Sequence, residues 1–357
     1  MNLLARYFSK DGRLLRASKR GDVKTARRLL ERGANVHARD RNGFGSLHLA
    51  ALHGDNDLVE LLLDRHAYIG KSGINTGWTP LHLAISHAKT AKHLLDRGAC
   101  VDEKDPNGDT ALQESARRHF HETVEILLQH GAKIQAKDRQ GWTVLDLALG
   151  DTLQHEEQAV TVEVLLEHGA RSASAGTPVG IVQILAREAK AANIARLKRF
   201  ASLGVDLDAK NENGDTLLLI TFECLHRSLA GFGFEGDDAR VPDLVEQARY
   251  LSNRADVNCK DKAEHTPLFY VAHGLSWCLG HRPQDLEVCA ELLKILLDAG
   301  ALERWPRRDY SQAARTVLWA VGHSLAKCED QTDGVHVRIA AMLTTIRDAL
   351  VAITNST

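Results

Sequence analysis

The sequence predicts an all-α repeat solenoid of stacked helix-turn-helix units, and three observations carry that prediction. The stretch GWTPLHLA, Gly77 to Ala84, recurs in close copies along most of the chain. A second segment, a Leu-Leu pair followed two residues later by Gly-Ala, recurs as LLERGA, LLDRGA, LLQHGA, LLEHGA and LLDAGA. Its glycine position falls at Gly33, His66, Gly98, Gly131, Gly169, Gly204, Arg254 and Gly300, at intervals of 33, 32, 33, 38, 35, 50 and 46 residues. Two unlike segments that stay in phase this long define a structural period.

GWTPLHLA reads as a helix start. Thr79 is a good N-cap type, Pro80 follows where a missing N–H costs nothing, and Leu81, Leu83 and Ala84 supply a buried side. His82 is placed to hydrogen-bond back to the threonine hydroxyl. These residues resemble the TPLH signature of ankyrin repeats, and the second segment matches the same family, so nearly the whole chain reads as an ankyrin-like array of about nine repeats. The resemblance implies short β-hairpin fingers between the helical hairpins. It also implies a non-catalytic module that binds a protein partner.

Composition agrees with that class. Hydrophobic residues make up 44% and aromatic residues 5%, as expected where Leu and Ala fill thin helix-on-helix layers. A solenoid escapes the usual domain count, because each repeat packs only on its neighbours, so one elongated domain is expected. The formal charge of −2 gives no general pull toward nucleic acid or a membrane surface. Cys100, Cys224, Cys259, Cys278, Cys289 and Cys328 form no C-x-x-C pattern, which suits a reducing compartment and indicates no zinc site or disulfide framework. No apolar run reaches membrane-spanning length. The basic opening MNLLARYFSKDGRLLR could pass for an organellar leader, but the first repeat already begins at Leu14. A cytoplasmic or nuclear protein, monomeric on its own, is expected.

In order, residues 1–40 form an N-terminal capping repeat with Arg16, Lys19, Arg20, Arg27 and Arg28 on exposed faces. Residues 41–175 hold the regular repeats. In repeat two, Gly45 and Ser46 replace Thr-Pro and weaken the cap; repeat three lacks two residues, predicting a tight inter-helix loop. Gln113 in repeat four and Asp146 in repeat five stand where His82 stood, and repeat five carries about five extra residues. Residues 176–309 are degenerate: repeat six predicts a long or shifted first helix, and repeats seven and eight carry insertions read as loops at Gly231 to Pro242 and Gly274 to Gln284, projecting from one edge. Residues 310–357 predict a capping helix pair.

Chemistry-bearing patterns are few. GFGFEG at Gly231 to Gly236 matches G-x-G-x-x-G, but that fingerprint works only between a strand and a helix, and here a helix precedes it. His48 and His82 occupy the TPLH slot as structural residues. His37, His130 and His168 sit near helix ends, where a donor favours exposed carbonyls. His119 and His121 lie on different faces, so no metal site and no cofactor are expected. Dispersed Asp and Glu read as a solvated face.

Recognition remains. Under the resemblance, partners bind the fingers and the exposed side of the first helices, so the residue after each opening glycine is a contact candidate: Phe44, Trp78, Asp109, Trp142 and Asp215. Trp78 and Trp142 are either interface anchors or rings folded onto a neighbouring hairpin. Arg39, Arg41, Arg117, Arg118 and Arg139 either give this side a basic character favouring an acidic partner segment or are scattered solubilising charge. Phe232, Phe234 and Trp277 are the insertion candidates. The leading expectation is a scaffold, adaptor or regulator. The alternatives are an inhibitor or transcriptional co-regulator of one partner, or a catalytic or small-molecule pocket in the insertions using Glu235, Asp237, Asp238, Cys278 and His281.

Overall fold

The computed structural model describes residues 9–70, 77–150, 156–173, 178–229, 240–281 and 285–301, with scattered positions between 319 and 348. It divides into two compact units, Met1–Pro178 and Val179–Thr357. In the first unit the helices are α1 (Lys10–Lys19), α2 (Val23–Glu31), α3 (Ser46–His53), α4 (Asn56–Asp64), α5 (Pro80–Leu83), α6 (Ala88–Asp96), α7 (Ala111–Arg117), α8 (His121–Gln129), α9 (Val144–Leu149) and α10 (Glu156–Glu167). The second holds α11 (Val179–Lys190), α12 (Ile194–Ser202), α13 (Leu217–Leu229), α14 (Val241–Ser252), α15 (Pro267–His281) and α16 (Leu286–Asp298).

Each odd helix packs on the even helix that follows it. Within each unit, odd helices also pack on the next odd helix and even on the next even. That ladder is the contact pattern of hairpins stacked in register. Strand pairing among the described residues is limited to single antiparallel bridges, Arg39 with Gly45 and Lys104 with Thr110, at the expected fingers.

The Leu-Leu-x-x-Gly-Ala segment is a helix C-terminus. At the end of α2 the Gly33 N–H donates to the Leu30 carbonyl at 2.9 Å and the Ala34 N–H to that of Leu29 at 3.0 Å, the two bonds of a Schellman cap. This needs a left-handed residue, and Gly33 has φ +81°. His66 takes the same conformation at φ 60° and makes the same two bonds, which is why the period survives the lost glycine. The first leucine of the pair fills the core: Leu62, Leu94, Leu127 and Leu165 are fully buried, and Phe200 takes over in repeat six. Each contributes roughly 1.5–3 kcal/mol. At Arg254 the motif is lost, and Ala255 N–H turns back to the Leu251 carbonyl instead.

Three expectations need correction. The two residues missing from repeat three come out of the first helix, not the loop: α5 keeps four residues, and Ala84 to His87 still supply the reversal. The carbonyl of Ile85, no longer capped by a following turn, accepts from Thr123 Oγ1 of α8 at 2.7 Å. Residues Gly274 to His281 are helical, forming the C-terminal half of α15, and Val241 and Pro242 open α14. Gly274 packs against the neighbouring helices: a Cβ there would lie 3.6 Å from His226 Nδ1 and 3.9 Å from Cys289 Sγ, ordinary contact distances that do not demand glycine. α11 runs for twelve residues, as the long first helix of repeat six required. The extra residues of repeat five, the Gly231–Gly236 motif with Phe232 and Phe234, and nearly all of the C-terminal pair lie outside the described residues.

Candidate protein-interaction surface

Five fingers are each built by an acidic or amide residue whose role lies in accepting backbone N–H groups. Asp40 Oδ1 accepts the N–H of Asn42 at 2.8 Å and of Phe44 at 2.9 Å. Asp105, Asp138, Asn211 and Asp261 do the same for Asp109, Trp142, Asp215 and His265 four residues on. The recurrent signal is a D/N-x-x-G-x frame; in repeat eight Glu264 takes the glycine position at φ 65°, and in repeat three Ile74 stands in the D/N position. These carboxylates organise backbone and are not solvated decoration.

Successive fingers nest. A Cβ at Gly77 would come within 2.9 Å of Pro106 Cγ, and one at Gly108 within 3.0 Å of Arg139 Cγ. Both glycines also have positive φ, so the turn and the close approach demand the same residue. Over repeats three to five the outcome is a preformed edge of backbone turns, with the fingers of repeats three and four each resting on the next.

The residue at the third helical position ties each finger to the first helix. His82 Nδ1 lies 2.8 Å from Thr79 Oγ1, and Nε2 lies 3.2 Å from the Asp109 carbonyl of the next finger. A carbonyl only accepts, so Nε2 carries the proton. Gln113 Oε1 accepts from Thr110 N–H at 2.9 Å while its Nε2 donates to the Ala136 carbonyl at 3.3 Å. Asp146 can only accept, and its neighbour changes to suit: Ser172 Oγ donates at 2.5 Å and the Ala173 N–H at 3.0 Å. Burial pushes the Asp146 carboxyl up, but the Ser172, Thr143 and Ala173 bonds outweigh it and hold its pKa below the usual value. In repeat two only the Gly45 N–H reaches His48 Nδ1, at 3.3 Å, so the cap is half made. His48 is pushed down to about 4, first by burial and then by Arg39, against the opposing pull of the Trp78 backbone.

The aromatic finger residues follow from that position. Phe44 tilts against His48 and Trp78 meets His82 edge-on, each with ring centroids 5.9 Å apart, and both are half-buried. With Asp146 in place of a histidine, Trp142 is 49% exposed. In repeat eight the pair is reversed: His265 occupies the finger and stacks on Phe269 at 4.0 Å. Tyr270 OH donates to Asp261 Oδ2 at 2.9 Å, and His226 and His273 extend this ring cluster.

The charged candidates separate. Asp109 is 6% exposed, a correction to its assignment as a surface contact, because its carboxylate takes Arg117 at 2.9 Å. Glu114, also buried, accepts from Arg117 at 2.5 Å and Arg118 at 2.7 Å. Arg39 is half-buried and donates to the Gly43 carbonyl at 3.2 Å; Arg41 and Arg139 are exposed; Asp215 is half-buried. Trp277 lies within α15, and its side chain is outside the described residues. Cys278 is buried with its Sγ 3.7 Å from that of Cys289, and Phe232, Phe234, Glu235, Asp237, Asp238 and the His281 side chain are outside the described residues. His130 and His168 Nδ1 each face a carbonyl of their own last turn, at 2.8 and 2.9 Å.

Hairpins in one register, linked by side chains that each reach the next finger, define a helical-hairpin repeat protein that presents a finger edge. The family model for ankyrin repeats (3 copies) matches residues 14–105 and 98–175. Residues 14–175 are thus ankyrin repeats. It is 32% identical over 154 residues to tyrosine-protein kinase HTK16 of Hydra vulgaris, covering 41% of this chain and 20% of that protein. Human ankyrin repeat and SOCS box protein 6 is 30% identical over 158 residues, covering 41% of this chain and 38% of that protein, and dog (Canis lupus familiaris) inversin is 38% identical over 117 residues, covering 32% and 11%. The chain therefore spans well under half the length of these relatives. The matches point to a protein-interaction module of a generally non-enzymatic family. No helix among the described residues is long and apolar enough to cross a membrane.

Proposed function

We propose that this protein is a non-catalytic scaffold, adaptor or regulator that grips a partner protein with the fingers and first helices of residues 39–142, acting as an intracellular monomer in the cytoplasm or nucleus. The observation that supports this most is the nested finger edge bearing exposed Trp142 and Arg139, a surface formed before any partner arrives. Binding to it loses little conformational freedom, and an exposed indole is an efficient anchor. Trp142 leads the site, with Arg41, Arg118 and Arg139 as flanking charge and Phe44 and Trp78 as half-buried contacts. Asp215 takes the corresponding position of a finger within the second unit.

The test is affinity capture from native extract with the full chain, comparing wild type with a Trp142→Ala, Arg139→Ser variant of unchanged melting temperature. Loss of a defined set of captured proteins is expected. Recovery of the same set in the same yield would remove the finger edge as the binding surface.

A further inference from the structure

We infer that the first hairpin, α1 and α2, is a docking surface for an acidic protein segment, a run of Asp and Glu side chains in an extended partner. This rests on the protein-binding reading above and assigns the chemistry of one partner to a place outside the fingers. Residues 10–32 carry nine lysines and arginines against three carboxylates, in a chain whose formal charge is −2. The hairpin surplus of six cations thus faces a surplus of eight carboxylates elsewhere.

Six of these nine cations form no ion pair among the described residues. They are Arg13, Lys19 and Arg20 on α1 and Lys24, Arg27 and Arg28 on α2, all exposed. Some cations elsewhere in the same unit are taken up: Arg97 by Asp64 at 2.9 Å, Lys92 by Asp96 at 2.9 Å, and Arg118 by Glu114. Two of the three carboxylates in the hairpin are committed to backbone, Asp11 accepting the Asn35 N–H at 2.8 Å and Asp22 that of Thr25 at 2.9 Å. A solvated helix face needs polar side chains, but mixed charge would supply them; a surplus of one sign adds repulsion within the hairpin with no structural return.

The composition selects among polyanions. Six of the nine cations are arginines, whose planar guanidinium takes a carboxylate through two parallel bonds. Residues 10–32 contain no aromatic side chain on which a single-stranded base could stack. No large apolar side chain is exposed there to enter a bilayer. A short acidic segment can be confined to residues 10–32, where these cations lie together.

The full chain is titrated with a labelled alternating Glu-Ser peptide, and in parallel with oligo(dT), a DNA duplex and phosphatidylserine vesicles. Peptide binding that weakens about tenfold from low to physiological salt is expected. An Arg20→Gln, Arg27→Gln, Arg28→Gln variant should bind about tenfold more weakly, and hydrogen-exchange protection on wild type should fall within residues 10–35, which needs no variant. Absence of peptide binding, tighter binding of either nucleic acid or the vesicles, or protection confined to other residues overturns the proposal. A native-extract capture with the triple variant separates the two readings: partners kept by it but lost by Trp142→Ala, Arg139→Ser overturn the hairpin site alone, and partners kept by both overturn both.

Discussion

His82 Nε2 stands 3.2 Å from the carbonyl oxygen of Asp109, twenty-seven residues later in the chain. One side chain thereby closes its own helix cap through Nδ1 and holds the next finger through Nε2, so local capping and inter-repeat packing are the same interaction. Only the neutral ring does both.

That neutrality makes stability depend on pH. Burial lowers the pKa of His82, and burial followed by Arg39 lowers that of His48 to about 4. Between about 6.5 and 4 the unfolded chain binds protons that the folded chain refuses, so stability falls as pH falls through this window and levels below it. The His48 contribution is at most about 3 kcal/mol. Replacing both by Gln, the residue that repeat four uses, should flatten the urea-midpoint profile across this window. An unchanged slope would refute the neutral-histidine account.

Asp146→His restores the family residue and should nevertheless destabilise. The new Nε2–H would face the Ala173 N–H and the Ser172 hydroxyl, where the structure needs an acceptor. A loss of about 2–3 kcal/mol is expected from the orphaned donors, measured by chemical denaturation. A neutral or stabilising result would show that the loop after α10 can rearrange to accept from the histidine.

Gly33→Ala isolates backbone strain, because an added Cβ would meet no atom within 4 Å while φ stays at +81°. It should cost about 1–2 kcal/mol. His66→Gly should gain up to about 1 kcal/mol by relieving the same strain, less what the freer unfolded chain recovers. Opposite signs in thermal melts are the check.

Arg117 and Arg118 look equivalent in sequence and should not behave so. Arg117→Ala strands the buried carboxylate of Asp109, leaves Glu114 with Arg118 alone, and should cost about 2–3 kcal/mol. Arg118, 55% exposed, leaves Glu114 still paired with Arg117, and its removal should cost under about 0.5 kcal/mol. Equal costs in denaturant titrations would mean that the Asp109 pair carries little.

Much of the fold was legible because its two recurrent segments are helix-terminus chemistry, and caps act over four or five residues. Thr79 to His82 and Leu29 to Ala34 each contain nearly all the partners they need. The finger frame from Asp40 to Phe44 is equally local, but a single carboxylate has the same one-letter signature whether it is solvated or accepts backbone N–H groups. The site was less legible. Whether Trp142 is exposed while Trp78 folds down turns on which residue stands four positions later, and whether Asp109 is available turns on Arg117 reaching back to it.

By itself the sequence determined the period, the helix ends and the hairpin as the repeating unit, since those depend on contacts within one repeat. Only the tertiary structure decided how the departures were absorbed: a turn removed from α5, a loop turned into helix around Gly274, and a carboxylate at position 146 matched by donors at 172 and 173. Each of these is settled by a partner at least ten residues away, and a hydrogen bond or a packing contact across that distance leaves no spacing to read.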